Sequence, residues 1–535
     1  MRYAVNSKEM KKIDEYTIQE AGIPAFVLME RAAKEVVAVM QTRIDKADHI
    51  LAVCGSGNNG GDGVAAGRIL YLQGYHVAIL FIGDEKKVSD AMKAQLEIAK
   101  RIGIPMENRS KLSEYNIIID SIFGIGLSKP VSGEQEEIIN EINQGDHYIY
   151  SVDLPSGISA DNAKVMKVAI KADETITFGQ NKIGLMFYPG TEYAGKLTIA
   201  DIGFPQLAIE QVKPEFTYFE PADLLRLPDR KKDGHKGSFG KVLVIAGSEG
   251  MSGAAYLSAK AAYRTGAGLV KILTSKTNRL ILQTQLPEAL FSAYDEEKPE
   301  EEMHLKLQQE LEWASVIVIG PGLGLTAAAQ ELVNFVLDKA KVPLVIDADA
   351  INLLARKLNQ MAEVKEIPVP DEEKNIVQQE ESRKEKAAAD RWTELTARLK
   401  ENTILTPHLL ELARLMDRSV SEVSNNLVDT AKQCSYNNKL IYAIKDARTL
   451  VVQEEKRYIN LSGNNGMATG GSGDVLSGII AALIAQGMKE YDAACLGVYL
   501  HGLAGDAAAE EKGVYSLMAS DIIGSLEVVL KQVRA

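Results

Sequence analysis

Short apolar runs alternate with amphipathic segments along most of this chain, and this rhythm limits the folds that it can adopt. Runs rich in β-branched residues, each followed by a segment with helical periodicity, predict a mostly parallel sheet with helices on both faces. In the first half the predicted strands are Ile50–Cys54, His76–Ile82, Asn116–Asp120, Tyr148–Val152, Thr175–Phe178 and Lys196–Ala200, and the predicted helices include Asp62–Gln73 and Ser89–Arg101.

The rhythm stops and then starts again, which predicts two domains. The stretch Lys213–Lys232 contains three prolines and ends in a charged run, as a boundary between domains often does. We expect one domain at 1–215 and a second at 222–535, with a charged insertion at about 360–395 inside the second. New strands are predicted at Lys241–Ala246, Leu269–Leu273, Val316–Ile319, Leu344–Ile346, Leu440–Ile444 and Leu450–Val452, and new helices at Ala254–Thr265, Thr326–Lys339 and over the C-terminus.

The composition argues against several classes of function. The formal net charge is −13, whereas a protein that binds nucleic acid needs clustered Lys and Arg, so no nucleic-acid partner is expected. The three cysteines, Cys54, Cys434 and Cys495, form no CxxC pair, and a reducing cytoplasm is the simpler expectation. We expect no signal segment in the polar N-terminus and no run long enough to cross a membrane.

A glycine-rich turn follows the first predicted strand, where residues 50–63 read ILAVCGSGNNGGDG. Glycines before a helix let a phosphate approach the backbone N–H groups, so an ordinary dinucleotide-binding loop is one interpretation. The side-chain oxygens of Asn58, Asn59 and Asp62 set this turn apart from such loops. Two later turns begin with Asp120 and Asp153 after strands, and all three turns should meet at one crevice. Strand-end Asp residues that only cap turns are the alternative.

The turns GSGNNGGDG, DSIFGIGLSKP and DLPSGI resemble the signature turns of the NAD(P)HX epimerases, the YjeF N-terminal domain family. This resemblance implies a Rossmann-like, three-layer αβα domain in which Asp153 acts at the epimerising centre. It also implies that Asn59, Asp120 and Ser156 bind a potassium ion, for which oxygen ligands are suitable. The implied substrate-binding set is Asn58, Asn59, Gly60, Gly61, Asp62, Gly124, Ile125, Gly126, Leu127, Ser128, Lys129, Pro130 and Asp153.

A second glycine-rich turn precedes an apolar helix near the C-terminus, where residues 464–478 read NNGMATGGSGDVLSG. The N–H groups of Gly471, Ser472 and Gly473 would form an anion hole at the helix N-terminus, suited to a phosphoryl group in transit. Asp474 would lie beside that hole and could accept a proton from a substrate hydroxyl. A tight turn with Asp474 as a simple helix cap is the alternative.

The GxGD pattern in this turn resembles that of the ribokinase-like superfamily, and further motifs narrow the resemblance to the NAD(P)HX dehydratases, the YjeF C-terminal domain family. These motifs are HKGSFGKVLVIAGS at 235–248, GPGLG at 320–324, DADAINLL at 347–354 and LTPH at 405–408. One departure is Leu409-Leu410, where the family has Pro-Gly. The resemblance implies a ribokinase-like αβα fold, Asp474 as catalytic base, substrate contacts from Ala254, Gly322, His408 and Asp474, and a nucleotide site formed by Lys445, Asp446, Ala447, Arg448, Thr449 and Gly473.

Together the two resemblances imply an enzyme that repairs hydrated NADH and NADPH. The first domain would interconvert the R and S epimers of NADHX and NADPHX. The second would dehydrate the S epimer with ADP as co-substrate, giving AMP and phosphate. Potassium in the first domain, magnesium beside the transferred phosphoryl group, and a homo-oligomeric cytoplasmic protein are further expectations. Two alternatives stay open, a ribokinase-type kinase that stops at a phosphorylated product and a non-catalytic dinucleotide sensor.

Overall fold

The computed structural model describes residues 1–295, 300–365, 399–436 and 438–533. These residues fall into two compact units, of which the N-terminal unit is Arg2–Thr217 and the C-terminal unit is Tyr218–Ala535 together with Met1. From residue 366 onward the expected charged insertion lies outside the described residues. In the described ranges, no helix is both long enough and apolar enough to span a membrane.

The N-terminal unit contains a six-stranded parallel sheet. The strands of this unit, six of which form the sheet, are β1 (Arg2–Val5), β2 (His49–Cys54), β3 (His76–Phe81), β4 (Ile117–Ser121), β5 (Tyr148–Val152), β6 (Glu174–Phe178), β7 (Asn181–Lys182) and β8 (Lys196–Ala200). Its α-helices are α1 (Ser7–Glu15), α2 (Ala25–Met40), α3 (Asn58–Leu72), α4 (Asp90–Arg101), α5 (Glu134–Gln144), α6 (Gly190–Ala194) and α7 (Gln206–Val212). The sheet has the order β3-β2-β4-β5-β6-β8, and β1 pairs in parallel with β7. The turns after β2, β4 and β5 therefore meet at one edge.

The two faces of this sheet are buried against different helices. Ile50 and Ala52 of β2 belong to a core that also contains Val36 of α2. Leu51, which lies between them in the sequence, belongs to the opposite core together with Ile138 of α5. A strand buried on both faces is apolar at every position, which explains the continuous apolar run in the sequence. The expected three-layer αβα fold is confirmed.

The C-terminal unit repeats this architecture on a larger scale. After the boundary strand β9 (Phe216–Tyr218), its strands are β10 (Lys241–Ile245), β11 (Leu269–Ser275), β12 (Leu290–Tyr294), β13 (Val316–Ile319), β14 (Leu344–Ile346), β15 (Ile404–Leu405), β16 (Ile441–Ile444), β17 (Leu450–Gln453) and β18 (Lys456–Ile459). The order is β12-β11-β10-β13-β14-β15-β16-β17-β18, and only the pairs formed by β17 are antiparallel within this series.

Helices cover both faces of the C-terminal sheet. Val242 and Val244 of β10 pack in a core with Val475 and Ile479 from the apolar helix near the C-terminus. The alternate residue, Leu243, is fully buried on the other face. The expected α/β fold is confirmed here too. The helices span Ser252–Arg264, Arg279–Gln285, Glu300–Trp313, Ala327–Lys339, Ala348–Lys365, Leu409–Met416, Val420–Asn425, Leu427–Ser435, Ser472–Ala485, Glu490–Lys512 and Ala519–Gln532.

Candidate active sites in the two units

A cavity of about 510 Å³ lies at the carboxyl edge of the N-terminal sheet, and all three oxygen-bearing turns reach it. Its wall includes Asn58, Asn59 and Asp62 from the first turn, Phe123–Leu127 from the second and Asp153 from the third. The expected substrate-binding residues that do not form part of this wall are Gly60, Gly61, Ser128, Lys129 and Pro130.

Two of these glycines have a packing role instead. A Cβ on Gly60 would lie 2.0 Å from the carbonyl oxygen of Gly55, and a Cβ on Gly61 would lie 2.6 Å from Cε of Met29 in α2. A side chain at Gly60 would therefore push the start of α3 away from the turn, whereas a side chain at Gly61 would require the Met29 side chain to move. The glycines hold the start of α3 close enough for its first-turn asparagines to reach the cavity.

Asp153 is held in the cavity wall by a buried lysine. The residue has a φ of 67°, in the left-handed region, and its N–H donates to the Ile176 carbonyl at 2.7 Å. Its Oδ1 accepts a hydrogen bond from Thr177 Oγ1 at 3.1 Å and lies 2.6 Å from Lys182 Nζ. Lys182 is 1% exposed and also donates to the Phe178 carbonyl at 2.8 Å. The Lys182 ammonium group therefore holds the Asp153 carboxylate in place and balances its negative charge.

Two further carboxyl groups line the same cavity. Burial raises the pKa of Asp14 to about 6, with Lys182 opposing this shift and Asp153 reinforcing it. Burial also raises the pKa of Asp62 well above its ordinary value, and repulsion by Asp153 and Asp14 adds to the effect. The cavity wall thus holds three carboxyl groups and two lysines, Lys11 and Lys182, and its Asp14 has a pKa that allows proton exchange near neutral pH.

The expected potassium ligands Asp120 and Ser156 are fully buried and in direct contact. The hydroxyl and the N–H of Ser156 both donate to the Asp120 carboxylate, and Ser151 Oγ donates to it at 2.7 Å. Asn59 lies beside this pair of turns, because a Cβ on Gly124 would be 3.2 Å from Asn59 Oδ1. The Nδ2 atom of Asn59 is buried, and among the described residues it has no hydrogen-bond partner.

Whether a cation can bind between these turns depends on the charge of Asp120. Burial raises the pKa of Asp120, and hydrogen bonds from Ser156 and Ser151 oppose the shift. All of these donors are neutral, and within the described ranges Asp120 makes no ion pair with a Lys or Arg. A buried carboxylate is costly unless a charge balances it, so a cation with oxygen ligands is compatible with these residues.

The second glycine-rich turn does start a helix in the C-terminal unit. Helix Ser472–Ala485 has Gly471 at its N-cap with a φ of 88°, and a Cβ there would lie 2.4 Å from Cδ1 of Leu257. Of the three N–H groups expected in the anion hole, that of Ser472 donates to the Thr469 carbonyl at 3.3 Å. The N–H of Ser472 is therefore already engaged, which leaves the glycines as the better anion donors.

A buried ion pair lies against this helix start. Lys445 Nζ donates to Asp347 Oδ1 at 2.8 Å, and Thr406 Oγ1 donates to the same oxygen at 2.7 Å. A Cβ on Gly473 would lie only 3.0 Å from Lys445 Nζ. The ammonium group therefore sits beside the helix N-terminus, where both would attract a phosphoryl oxygen.

Asp474 is poised to exchange a proton near neutral pH. Burial raises its pKa to about 7, with repulsion by Asp347 reinforcing the shift and Lys445 opposing it. Burial by itself lowers the pKa of Lys445, but attraction by Asp347 and Glu411 outweighs burial, and the net shift is upward. Lys445 therefore stays cationic while the neighbouring Asp474 can act as a general base.

His408 forms the N-cap of helix Leu409–Met416. Its Nδ1 accepts hydrogen bonds from the N–H groups of Leu410 and Glu411 at 3.1 and 3.2 Å, and the Glu411 carboxylate accepts one from the His408 N–H at 2.9 Å. Leu409 and Leu410, which replace the Pro-Gly of the family, thus form part of the first turn of this helix. A parallel bridge pairs His408 with Lys445, which places the histidine at the edge of the same site.

The remaining expected residues lie in the first turn of helix Ser252–Arg264, in the loop after β13 and in the turn between β16 and β17. A Cβ on Gly322 would lie 2.8 Å from Cβ of Ala254, so these two predicted substrate contacts are adjacent. The neighbouring Gly324 donates its N–H to Asp349 Oδ2 at 2.8 Å. The predicted nucleotide-binding residues Lys445–Thr449 form the turn between β16 and β17, where the Arg448 guanidinium donates to the Leu461 carbonyl at 2.9 Å.

Comparison with known proteins assigns both units to families. The model described as YjeF-related protein N-terminus matches residues 25–184, and the model described as NAD(P)H-hydrate dehydratase matches residues 242–379 and 382–527. A Thermofilum pendens protein named bifunctional NAD(P)H-hydrate repair enzyme Nnr is 33% identical and aligns with 98% of this chain and 96% of its own. The chain belongs to the bifunctional NAD(P)H-hydrate repair enzymes. The family expected from the sequence motifs is therefore confirmed.

Other members of this repair-enzyme family match over nearly the full length. The protein from Moorella thermoacetica is 34% identical and aligns over 99% of this chain and 97% of its own length. The protein from Escherichia coli K12 is 32% identical and aligns over 95% of this chain and 90% of its own length. Among solved structures, an Enterococcus faecalis ribokinase-like superfamily protein is 28% identical over 60% of this chain and 96% of its own, with a TM-score of 0.48.

Sequence reasoning missed three residues that this repair enzyme places at its sites. Lys182 had no distinctive signal, since it follows the polar residues Gln180 and Asn181 in the segment after β6. Asp347 stood in the DADAINLL motif but had no assigned role. Asp14 belongs to α1, which precedes the first turn and lies outside the family match at 25–184. Each reaches its site only through the fold, because its contacts are distant in the sequence.

Proposed function

We propose that the N-terminal unit interconverts the R and S epimers of NADHX and NADPHX, and that the C-terminal unit dehydrates the S epimer at the expense of ADP. Family membership supports both halves of this proposal. The observation that carries the second half is Asp474, a carboxyl group with a pKa of about 7 beside a buried ammonium and a glycine-rich helix start.

In the C-terminal unit the residues act on a substrate hydroxyl and a nucleotide phosphoryl group. Asp474 takes the hydroxyl proton, and the hydroxyl oxygen then bonds to the terminal phosphorus of ADP as AMP departs. The Gly473 N–H and the Lys445 ammonium stabilise the negative charge that develops on the phosphoryl oxygens. The phosphate then leaves with the electrons of the C–O bond as the ring nitrogen forms a C=N⁺ bond, and loss of a proton from the adjacent ring carbon to the departing phosphate restores the C=C bond of NADH or NADPH.

Magnesium would offset charge on the nucleotide phosphates when it is bound. Asp347 suits this ion, because its Oδ2 is buried and has no hydrogen-bond partner among the described residues. Potassium would be held in the N-terminal unit by Asn59, Asp120 and Ser156, where a buried carboxylate meets only neutral donors. A potassium ion there would brace the second and third turns of the cavity wall.

The test is an assay of the full chain with mixed NADHX epimers and either ADP or ATP. We expect NADH absorbance to return fully with the preferred nucleotide, because the first unit feeds R epimer to the second. A stable phosphorylated product without NADH would instead identify a kinase that stops early. Binding without turnover would identify a dinucleotide sensor, and either result would refute the proposal.

We also propose a homo-oligomer that works in the cytoplasm. The three cysteines are free and buried, which suits a reducing compartment. Large apolar side chains such as Leu225 and Leu280 are more than 70% exposed, and burial of such surface is what subunit association provides. Sedimentation velocity of the full chain measures the oligomeric state, and a single monomeric species would refute this part.

A further inference from the structure

Epimerisation of a hydrated nicotinamide needs proton transfer on two faces of the ring. Hydration of the enamine double bond places the hydroxyl on the carbon next to the ring nitrogen. When an acid protonates this hydroxyl, the C–O bond breaks, water departs and the nitrogen lone pair forms a C=N⁺ bond. A water molecule then adds to the opposite face and gives its proton to a base. Electrons and atoms balance without any redox partner, and two proton-transfer groups are required.

Asp153 supplies only one of these groups, because a single carboxylate faces one side of a bound ring. Asp14 is the residue placed to supply the other. It lines the same cavity but comes from α1, whereas Asp153 follows β5. We propose that Asp14 is the second proton-transfer residue of the epimerase site. This inference rests on the proposed epimerase function and adds a residue to it.

Helix α1 is built to hold Asp14 in place. Met10 and Ile13 pack in a core with Ala208 and Ile209 of α7, so one face of α1 is fixed. At its start, Asn6 and the third helical residue form a capping box, which anchors the first turn. Because Met10 also lines the cavity, the packed face of α1 is continuous with the cavity wall that carries Asp14.

The surroundings of Asp14 favour a proton on this residue. Lys182 attracts its carboxylate form, whereas Asp153, Asp62 and Glu15 repel it. Lys11, on the same helix, is a further cation in the cavity wall. Burial and repulsion by Asp153 raise the pKa of Asp14, which favours a proton on Asp14, while Asp153 is paired with the Lys182 ammonium. That state is the one the reaction needs, with one group acting as acid while the other acts as base.

The experiment measures two exchanges in H₂¹⁸O with the full chain, inversion between R and S NADHX and incorporation of ¹⁸O into each epimer. The variants are Asp14→Asn and Asp153→Asn, with Asp14→Glu as the conservative change. Glu20→Gln, an exposed residue outside the cavity wall, is the matched control. Circular dichroism and the thermal unfolding transition of each variant report whether its N-terminal unit is folded, and the dehydratase activity reports the C-terminal unit.

We expect Asp14→Asn to lower inversion by about 100-fold or more, the range over which general acid–base groups act. The remaining Asp153 can still remove and return the hydroxyl on its own face, so ¹⁸O should enter one epimer with retention. In Asp153→Asn the other epimer should exchange instead. Asp14→Glu should restore part of the inversion, and Glu20→Gln should match the wild type.

Two outcomes would overturn this inference. The first is an Asp14→Asn variant that inverts at the wild-type rate. The second is a folded variant that loses inversion and ¹⁸O exchange to the same extent in both epimers, which would make Asp14 structural. If the wild-type chain itself fails to interconvert the epimers, the proposed epimerase function is at fault instead.

Discussion

The two units present similar glycine-rich turns in different electrostatic surroundings. In the N-terminal unit the turn faces a cavity with three carboxyl groups, and the buried Lys182 is paired with Asp153, the proposed epimerase residue. In the C-terminal unit Lys445 is paired with Asp347 and lies 3.0 Å from the Cβ position of Gly473, while Asp474, the proposed base, is a separate residue. A glycine-rich turn therefore does not determine the reaction by itself. The charged groups beside the turn determine it.

This contrast predicts that the two activities are separable by single substitutions, and this is the largest expected effect. Asp474→Asn removes the proposed base of the dehydratase and should lower NADH recovery by about 10³-fold, while R/S exchange continues. Asp153→Asn should stop catalysed exchange and leave recovery from the S epimer intact. Coupled NADH absorbance and chiral separation of the epimers measure the two rates. A folded variant that loses both activities would refute two independent sites.

The turn of the C-terminal unit should tolerate no side chain at its anion-facing glycine. A Cβ on Gly473 would crowd the Lys445 ammonium at 3.0 Å, so Gly473→Val should lower dehydratase turnover by about 100-fold. Lys445→Ala should act mainly on the KM for ADP. Gly524→Ala is the matched control, since nothing lies within 4 Å of its added Cβ. Normal turnover of folded Gly473→Val would place the anion hole elsewhere.

The pH dependence of the dehydratase should follow Asp474. A general base must be deprotonated, and the pKa of Asp474 is raised to about 7, so turnover should fall about tenfold per pH unit below that value. The pKa of Glu411 is also raised to about 7 by burial, so Glu411→Gln serves as the control and should keep this acidic limb. A pH profile that is flat between 6 and 8 would exclude Asp474 as the base.

The smallest expected effect concerns the cation of the N-terminal unit. Replacement of potassium by lithium should slow R/S exchange by about three- to tenfold, because the smaller ion prefers shorter oxygen distances than potassium does. Dehydratase turnover from the S epimer should not change. Asp120→Asn should remove the dependence on the cation, and equal sensitivity of both activities would contradict a site confined to the N-terminal unit.

Much of the sheet architecture could be predicted because fully buried strands are apolar at every position. Helix α3 is more instructive, since it begins at Asn58 whereas the sequence predicts a start at Asp62. Glycine disfavours helix, so Gly60 and Gly61 concealed the first turn. Tertiary packing explains why glycine occupies both positions, because a Cβ on Gly60 would collide with the Gly55 carbonyl oxygen and a Cβ on Gly61 would meet the Met29 side chain.

The sites were predictable only where a residue belongs to a motif. Asp153 and Asp474 stand in glycine-rich turns whose local geometry the sequence reveals. Asp14 and Lys182 do not. Asp14 interacts with Asp153 and Lys182, which are more than 130 residues away in the chain, and Lys182 pairs with Asp153 because β5 and β6 are neighbours in the sheet. The raised pKa of Asp474 depends first on burial and then on repulsion by Asp347, neither of which a local pattern can report.

The three cysteines give each unit its own reporter of local opening. Cys54 lies beneath the first glycine-rich turn, 3.3 Å from Ser121 Oγ, and Cys434 and Cys495 are buried in the C-terminal unit. Burial raises the pKa of Cys54 and of Cys434 to about 12, so almost no reactive thiolate exists in the closed state. The rate at which an alkylating reagent modifies each cysteine should therefore measure how often its unit opens, without any introduced label.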